Sequence, residues 1–188
     1  DRARPGRPHG TPRSLAPPLR TGHRLARPSP APIPPVERTL VLFKPDAVQR
    51  GLVGSILARF EAKGLKVIGL KLRQFPKATL EKHYEVHKER PFYPNLVRFS
   101  PVVALALEGV DAIDVTRRLM GETNARKAAA GTIRGDFGMS FSNNLVHGSD
   151  GPESAAKELA LFFPGADELV PWEPANLAWL YNVEEELA

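Results

Sequence analysis

The spacing of apolar residues predicts a strand, a helix and a second strand in the first part of the folded region. Residues Arg38 to Phe43 (RTLVLF) form an apolar run that stops at Lys44-Pro45-Asp46, where proline ends the strand and starts a turn. Apolar residues then recur at helical spacing from Leu52 to Phe60. Residues 65–73 alternate apolar with mostly basic positions, which predicts a strand interrupted by Gly69.

The middle of the chain predicts helical pieces, a buried strand and a further helix. Residues 77–99 have helical spacing that Pro91 and Pro94 break. The continuous apolar run from Pro101 to Leu107 predicts a central strand that is buried on both faces. Residues Asp111 to Met120 predict a helix that Asp111 caps.

A long loop, a strand and a last helix complete the pattern. Residues 121–138 have no sustained period, and a loop of that length in a compact domain usually carries function. Residues 144–146 predict a strand, and the spacing of Asp150 and Glu153 predicts a capping box before a helix over 154–163. This order predicts an α+β domain with a split βαβ arrangement, a four-stranded antiparallel sheet with helices packed on it.

The positive charge of the chain is concentrated at its N-terminus. Residues 1–36 contain seven arginines, no lysine and one acidic residue, a balance of +6, whereas residues 37–188 carry 19 basic and 20 acidic residues. The same 36 residues hold ten of the 19 prolines, so they cannot bury enough apolar surface to offset the entropy of ordering. We therefore predict a disordered extension over residues 1–36 and one domain over residues 37–188.

Three interpretations of the extension remain open. An arginine-rich, acid-poor N-terminus is typical of an organellar transit segment, although this one is rich in proline and poor in serine. It is also compatible with a phosphate-binding arm, or with a solvated extension that has no role of its own. We expect a cytoplasmic location, with an organellar one as the alternative if residues 1–36 are a transit segment.

The composition excludes several classes of protein. The chain has no cysteine, which excludes disulfides, cysteine-ligated metal sites and thiol nucleophiles. Its longest apolar run is far shorter than the roughly 20 residues of a membrane-spanning helix, so we expect no membrane partner. The two common glycine-rich phosphate-binding motifs are missing as well, so any nucleotide would have to be bound by side chains.

The strongest candidate for chemistry is His147, which leaves a predicted strand just before a helix. Gly148 allows close approach to its imidazole, and Ser149 and Asp150 add a hydroxyl and a carboxylate. Glu158 lies in the following helix, from which it can fold back and hold one ring nitrogen while the other acts as a nucleophile. A histidine taken alone at a strand end is more often structural.

A histidine that accepts a phosphoryl group needs cations around it, since such transfer depends on positioning and charge stabilisation. The loop and the helix before it supply Arg117, Thr123 and Arg134, the last of them flanked by glycines. Lys44 projects from the end of a predicted strand, where ligands often bind, although a solvated strand end is the alternative.

Six blocks of sequence together resemble the nucleoside diphosphate kinase family, in its order and nearly its spacing, from about Glu37 to about Tyr181. The blocks are Lys44-Pro-Asp-Ala-Val-Gln-Arg-Gly51, His83-Tyr84, Lys88-Glu-Arg-Pro-Phe92, Gly121-Glu-Thr-Asn124, Gly131-Thr-Ile-Arg-Gly-Asp-Phe137 and Asn144-Leu-Val-His-Gly-Ser-Asp150. The last of these is highly specific. The resemblance implies a ferredoxin-like core and a ping-pong transfer of the γ-phosphate from a nucleoside triphosphate, typically ATP, to a nucleoside diphosphate.

The resemblance also implies roles for particular residues. His147 would be the phosphorylated nucleophile, with Glu158 on its other nitrogen, Ser149 close by and Tyr84 near the transferring phosphate. The phosphates would be held by Arg117, Thr123, Arg134 and His87, and the sugar hydroxyls by Lys44 and Asn144. Phe92 would stack on the base, and stacking on a ring reads no hydrogen-bonding edge, so every base is accepted.

The implied cofactor and partners follow from the same resemblance. Mg²⁺ would be held mainly by the nucleotide phosphates, with no metal site built from protein side chains. The C-terminal segment from Gly165 to Tyr181, with Trp172 and Trp179, resembles that of hexameric members, so we expect a homo-hexamer, with a tetramer as the alternative. Nucleic acid is not an expected partner. The competing hypothesis is a catalytically impaired member that binds nucleotide or nucleic acid.

Overall fold

The computed structural model describes residues 36–90, 93–96 and 101–182. The strands within them are β1 (Glu37–Phe43), β2 (Lys66–Gln74), β3 (Pro101–Gly109) and β4 (Val146–Gly148). The helices are α1 (Pro45–Gln49), α2 (Val53–Ala62), α3 (Lys77–His83), α4 (Tyr93–Leu96), α5 (Ala112–Met120), α6 (Ile133–Phe137), α7 (Pro152–Phe162) and α8 (Leu177–Leu180), and a 3₁₀ turn covers Glu85–His87. The predicted disorder of the N-terminal extension concerns residues that lie, except for Val36, outside the described ones.

The four strands form one antiparallel sheet in the order β2-β3-β1-β4. This is the predicted ferredoxin-like arrangement, and the apolar run of β3 lies in its interior as expected. Pairing between β1 and β4 sets Leu42 opposite His147 and Val41 opposite Gly148. β1, whose last five residues are buried, therefore fixes the backbone of the candidate nucleophile.

Both faces of the sheet are covered by helices, which explains why β1 has no polar side. Val41 and Phe43 pack on one face with Ile56 and Phe60 of α2, and the side chains of α5 join this layer. Leu40 and Leu42 face the other way and pack with Leu80 of α3 and Phe162 of α7, among others. Burying one such side chain stabilises the fold by roughly 1.5–3 kcal/mol. The longest helix described, α7, has eleven residues, and no helix in the described part of the chain could cross a membrane.

The predicted interruption of β2 at Gly69 is a shift in its pairing with β3, between Val67 and Gly69. A side chain at Gly69 would meet the side chain of Phe163 at 2.9 Å, so only glycine lets the segment after α7 pack against β2. That segment continues along the strand, where the Val170 N–H donates to the Ile68 carbonyl at 2.7 Å.

Two predictions about strand ends were wrong. The turn predicted at Lys44-Pro45-Asp46 is the start of helix α1, because proline fits the first turn of a helix, where its missing N–H leaves no bond unmade. The strand predicted over residues 144–146 is displaced: β4 covers Val146–Gly148 and includes His147 itself. Leu145 cannot extend the strand because its φ of 71° lies in the left-handed region.

Two predictions about helix caps were also wrong. Asp111 precedes α5 as expected, but its side chain makes no capping hydrogen bond; instead the Glu37 carboxylate accepts from the Ile113 N–H at 3.2 Å. Helix α7 begins at Pro152 after Gly151, and the hydroxyl of Ser154 accepts from the Gly151 N–H at 3.0 Å. The cap of α5 thus comes from Glu37, which is distant in sequence, and that of α7 from Ser154, which lies in its first turn.

Proline also breaks the region 77–99 less than predicted. Pro94 lies in the first turn of α4, where proline is tolerated, rather than between two helices. Pro91 lies outside the described residues.

Candidate functional site

Most of the predicted site residues line one cleft at the end of the sheet where β4 begins. They are Lys44, Tyr84, His87, Arg117, Thr123, Arg134, Asn144, His147 and Glu158. Ser149 lies beneath them, 1% exposed. Phe92 lies outside the described residues, so its predicted stacking role stays a prediction. The fold thus brings together residues up to 114 positions apart, from Lys44 to Glu158.

His147 is held by one nitrogen. Its Nε2 lies 3.0 Å from Oε1 of Glu158, two turns into α7, while Oε2 of the same carboxylate accepts from the Ser149 hydroxyl at 2.6 Å. The Ser149 hydroxyl in turn accepts from the Leu40 N–H at 3.3 Å, which ties the group to β1. With Nε2 donating its proton to Glu158, Nδ1 carries the lone pair and is the nitrogen available for attack.

The local sequence explains how β4 can present this imidazole. A Cβ at Gly148 would lie 2.7 Å from the sulfur of Met120, so α5 packs closely behind the strand only because residue 148 is glycine. The left-handed conformation of Leu145, costly for a branched residue, is supported by Asp46, whose carboxylate accepts from the Leu145 N–H at 2.9 Å. Sequence analysis assigned Asp46 no role.

Glu158 is ionised where it meets His147. Burial acts to raise the pKa of its carboxyl group, but the hydrogen bond from His147, the charge on His147 and the hydrogen bond from Ser149 outweigh burial and lower the pKa below its usual value. A carboxylate is therefore present to stabilise positive charge on the imidazole ring.

Tyr84 forms a wall of the cleft beside the nucleophile. Its ring centroid lies 6.3 Å from that of His147, at an interplanar angle of 80°. Burial, followed by the charges of Glu158 and Asp46, raises the pKa of Tyr84 well above its usual value. Tyr84 therefore stays a neutral phenol, which can donate a hydrogen bond to an anionic group.

Lys44, Asn144 and Thr123 form a chain of hydrogen bonds across the cleft. Lys44 Nζ donates to Oδ1 of Asn144 at 2.8 Å and also to the Ser142 carbonyl. Asn144 Nδ2 donates to the Thr123 carbonyl at 3.0 Å. Burial lowers the pKa of Lys44, while nearby Asp46 acts to raise it. The predicted sugar-binding residues are thus adjacent and oriented by each other.

Arg134 is more buried than its predicted role suggested, with only 8% of the residue exposed. Its guanidinium donates to the carbonyls of Gly121 (2.7 Å), Asn144 (3.2 Å) and Val146 (2.7 Å). Burial and the charge of Arg117 lower the pKa of Arg134 to about 10, which leaves it charged at neutral pH. Since a guanidinium has five N–H groups, two remain for a ligand.

Arg59 of α2 supports α6, a short helix within the segment 121–138 that was predicted to be a loop; α6 carries Arg134, and sequence analysis missed the role of Arg59. Its guanidinium donates to the Asp136 carboxylate and, at 3.1 Å, to the Gly131 carbonyl, while the Gly131 N–H donates to the other oxygen of Asp136 at 2.8 Å. It also lies 4.6 Å from the centre of the Phe137 ring. Arg59 lies more than 70 residues before both Gly131 and Asp136, so the local sequence pattern could not predict these contacts.

His83 is the second missed residue. It precedes Tyr84 at the end of α3, three residues after Leu80, so the helical spacing of apolar positions could have predicted that it faces the core. Its imidazole is 2% exposed and packs edge-on against the ring of His147, with 4.6 Å between centroids.

One group of described residues has ligand atoms close enough together to hold a metal ion: those of His83, His147 and Glu158 lie within 4.8 Å of one another. Two nitrogens and a carboxylate whose oxygens are both hydrogen-bonded do not match the oxygen ligands that Mg²⁺ prefers. Asp150 is exposed on the cleft wall and offers such oxygens. A hydrogen bond from Ser154 lowers the pKa of its carboxyl group.

Proteins with similar sequences match nearly all of the residues that the structure describes. A sequence model described as nucleoside diphosphate kinase matches residues 37–168. A protein of that name from Picosynechococcus is 55% identical over 150 residues, which are 78% of this chain and all of that protein. One from Archaeoglobus fulgidus is 50% identical over 150 residues, covering 78% and 99% of the two chains.

Solved structures agree with the sequence comparison. A halophilic nucleoside diphosphate kinase from Halobacterium salinarum, solved in complex with CDP, superimposes with a TM-score of 0.74 at 47% identity, covering 78% of this chain and 99% of that one. A protein of the nucleoside diphosphate kinase family from Babesia bovis gives 0.74 at 46% identity, covering 77% and 99%. With its fold, its histidine cleft and these relatives in agreement, the chain belongs to the nucleoside diphosphate kinase family.

Proposed function

We propose that this nucleoside diphosphate kinase transfers the γ-phosphate of a nucleoside triphosphate, typically ATP, to a nucleoside diphosphate through a phosphohistidine at His147. The pairing of Nε2 with Glu158 carries the proposal, because it leaves Nδ1 unprotonated at the edge of a cationic cleft. The reaction is ping-pong, since donor and acceptor use the same cleft in turn.

In the first half-reaction, Nδ1 of His147 attacks the γ-phosphorus. A bond forms between nitrogen and phosphorus, the bond from the γ-phosphorus to the bridging oxygen breaks, and the diphosphate leaves with that electron pair. The imidazole becomes positively charged, and the Glu158 carboxylate stabilises this charge through Nε2. In the second half-reaction a terminal oxygen of a different diphosphate attacks the phosphohistidine, and the nitrogen regains its lone pair.

The cleft supplies charge and hydrogen bonds where the phosphates would lie. Arg117 and Arg134 provide cations, and Thr123 and His87 line the same wall. Tyr84, as a neutral phenol, donates to the transferring group. Because phosphoryl transfer depends mostly on positioning and electrostatics, these groups hold the γ-phosphorus in line with Nδ1.

Lys44 and Asn144 hold the sugar hydroxyls, which their mutual hydrogen bond supports. Phe92 is proposed to stack on the base without reading its hydrogen-bonding edge, so the enzyme accepts every common nucleoside.

Mg²⁺ would be held mainly by the nucleotide phosphates, with Asp150 near enough to the cleft to bind one of its water ligands. When bound, the ion neutralises charge on the phosphate oxygens.

The oligomer is proposed to be a homo-hexamer, with a tetramer as the alternative. Apolar side chains exposed on the single chain support self-association: Leu70 and Leu72 on the edge strand β2, and Trp172 and Trp179 in the C-terminal segment. Light scattering of the purified chain would distinguish the two states.

A cytoplasmic location is also proposed, and mass spectrometry of the native N-terminus tests it: a start near Val36 would support transit cleavage.

The test of the proposed function is direct detection of the phosphoenzyme. With γ-labelled ATP, the protein is expected to form an acid-labile, base-stable adduct, and His147→Ala is expected to abolish it. Phosphate exchange from GTP to dTDP should disappear in the same variant. An undiminished yield of phosphoenzyme in His147→Ala would refute the assignment.

A further inference from the structure

His83 lies directly behind the proposed nucleophile but has no part in the mechanism above. Its side chain is enclosed, with 2% exposed, whereas that of His147 is 29% exposed. The two rings meet almost at a right angle, at 89°, with 4.6 Å between centroids. The partly solvated nucleophile therefore rests on a fully enclosed ring.

The ring of His83 is itself fixed by its neighbours. It packs edge-on against Phe162 of α7, with 5.1 Å between centroids, and against Tyr84 at 4.3 Å. Phe162 is in turn 4.9 Å from Phe75, in the core of that sheet face. A continuous row of rings thus connects the core to His147, and such contacts favour particular orientations of each ring.

The nitrogens of His83 make little use of their hydrogen-bonding capacity. Nε2 has no hydrogen-bond partner among the residues that the structure describes, and Nδ1 is 3.6 Å from Oε1 of Glu158, beyond hydrogen-bonding distance. That oxygen already pairs with His147 at 3.0 Å. The arrangement uses the shape of the ring rather than its polar atoms.

His83 is uncharged at neutral pH, and this leaves the Glu158 carboxylate available for its hydrogen bond with His147. Burial first, then the neighbouring His147 and His87, lower the pKa of His83 to about 3, against the opposing effect of Glu158. Among the residues that the structure describes, the titratable groups that face His83 are these three, from β4, α7 and the 3₁₀ turn, and the phenol of Tyr84. An uncharged His83 does not compete with His147 for the carboxylate.

We propose that His83 is a positioning residue of the phosphotransfer reaction, whose ring packs against His147 and, together with Glu158, holds the imidazole with Nδ1 directed at the γ-phosphorus. This inference rests on the proposed function of His147. Glu158 alone fixes one atom of the ring, so the ring can still rotate about that hydrogen bond. The edge-on contact with His83 limits this rotation, and an error of about 1 Å in such an alignment costs on the order of 100-fold in rate.

Two variants separate the ring from its nitrogens. His83→Ala removes the surface on which His147 rests, and His83→Phe keeps a ring of similar size without nitrogen. Rapid-quench measurement with γ-labelled ATP gives the rate of phosphoenzyme formation at saturating nucleotide and the half-saturating concentration. We expect the saturated rate to fall about 100-fold in His83→Ala with half-saturation changed less than threefold, and to stay within fivefold of wild type in His83→Phe.

A spectroscopic readout reports on position independently of activity. The ¹⁵N shifts of His147 in the wild type are expected to show one tautomer, with the proton on Nε2. In His83→Ala the tautomer should be kept, because Glu158 still holds Nε2, but the ring signals should broaden as the ring moves; His83→Phe should keep the wild-type pattern and line widths.

Phe75→Leu is the matched control, because it loosens the same row of rings from the far side of Phe162. It is expected to lower stability while leaving the rate of phosphoenzyme formation within twofold. A rate in His83→Ala within threefold of wild type would overturn the inference. So would an equal loss in His83→Phe, since that would assign the effect to nitrogen chemistry, or an equal loss in Phe75→Leu, since that would make it general loosening. If the wild type formed no phosphohistidine at all, the proposed function itself would fail.

Discussion

The enclosure of His83 should make the stability of the fold depend on pH in a specific range. In the folded chain the pKa of His83 is lowered to about 3, mainly by burial, whereas in the unfolded chain a histidine has a pKa of about 6.5. Between these values the unfolded state binds one proton more than the folded state. The free energy of unfolding is therefore not reduced by this group above pH 6.5, and it falls progressively as the pH goes from 6.5 toward 3.

The size of the effect follows from the same two values. Going from pH 7.5 to pH 5.0 crosses about 1.5 pH units of this range, and at about 1.4 kcal/mol per unit the folded state loses about 2 kcal/mol. Most carboxylates keep their charge at pH 5.0, so the histidines dominate the comparison.

The perturbation is His83→Phe, which removes the titrating group and keeps the ring. Urea unfolding of wild type and variant at pH 7.5 and 5.0, at one protein concentration, gives the difference in free energy of unfolding at each pH. That difference is expected to move by about 2 kcal/mol in favour of the variant at the lower pH. Equal pH dependence in wild type and His83→Phe would refute the inference that His83 is buried uncharged.

Three further predictions concern the cleft and the loop beside it. Glu158→Gln is expected to slow phosphoenzyme formation about 100-fold or more in rapid-quench assays with little change in half-saturation, because an amide can donate to Nε2 and so leave the proton on the attacking nitrogen; an unchanged rate would remove the carboxylate from the mechanism. Gly135→Ala would place a Cβ 2.0 Å from a backbone oxygen and should destabilise the fold by about 2 kcal/mol or more, as measured by urea titration. The control is Gly54→Ala in α2, where a Cβ meets open space; it should stabilise the fold by about 0.5–1 kcal/mol. Arg59→Met breaks the ion pair with Asp136 and so loosens α6, the helix that carries Arg134. Nucleotide binding measured by calorimetry is expected to weaken, with a smaller change in the free energy of unfolding; unchanged affinity would contradict this.

The elements that the sequence predicted well are those with a strong local pattern. The apolar run of β3 can be satisfied only in the interior of a sheet, and the helical spacing after Leu52 places Ile56 and Phe60 in the core as expected. The neighbours of His147 in the motif also predicted its contact with Glu158, since strand, turn and helix are consecutive.

The elements that the sequence did not predict depend on partners far along the chain. The left-handed residue Leu145 is stable because Asp46, 99 positions earlier, accepts its N–H, and nothing in residues 144–146 signals this. The cap of α5 comes from Glu37, 76 positions away. Sequence analysis gave His83 no role for a different reason. Its position three residues after Leu80 is the spacing of an ordinary core residue, so the pattern does not distinguish it from an apolar side chain.

The three carbonyls that hold Arg134 have a consequence for how this cleft diverges among relatives. Every residue type has a backbone carbonyl, so the side chains at residues 144 and 146 do not determine whether these bonds can form, whereas residue 121 must be glycine because of its positive φ and its close approach to Thr132. A mutation at Val146, for example, alters packing but leaves the acceptor in place. Drift in the surrounding sequence is therefore expected to alter nucleotide preference well before it displaces this positive charge.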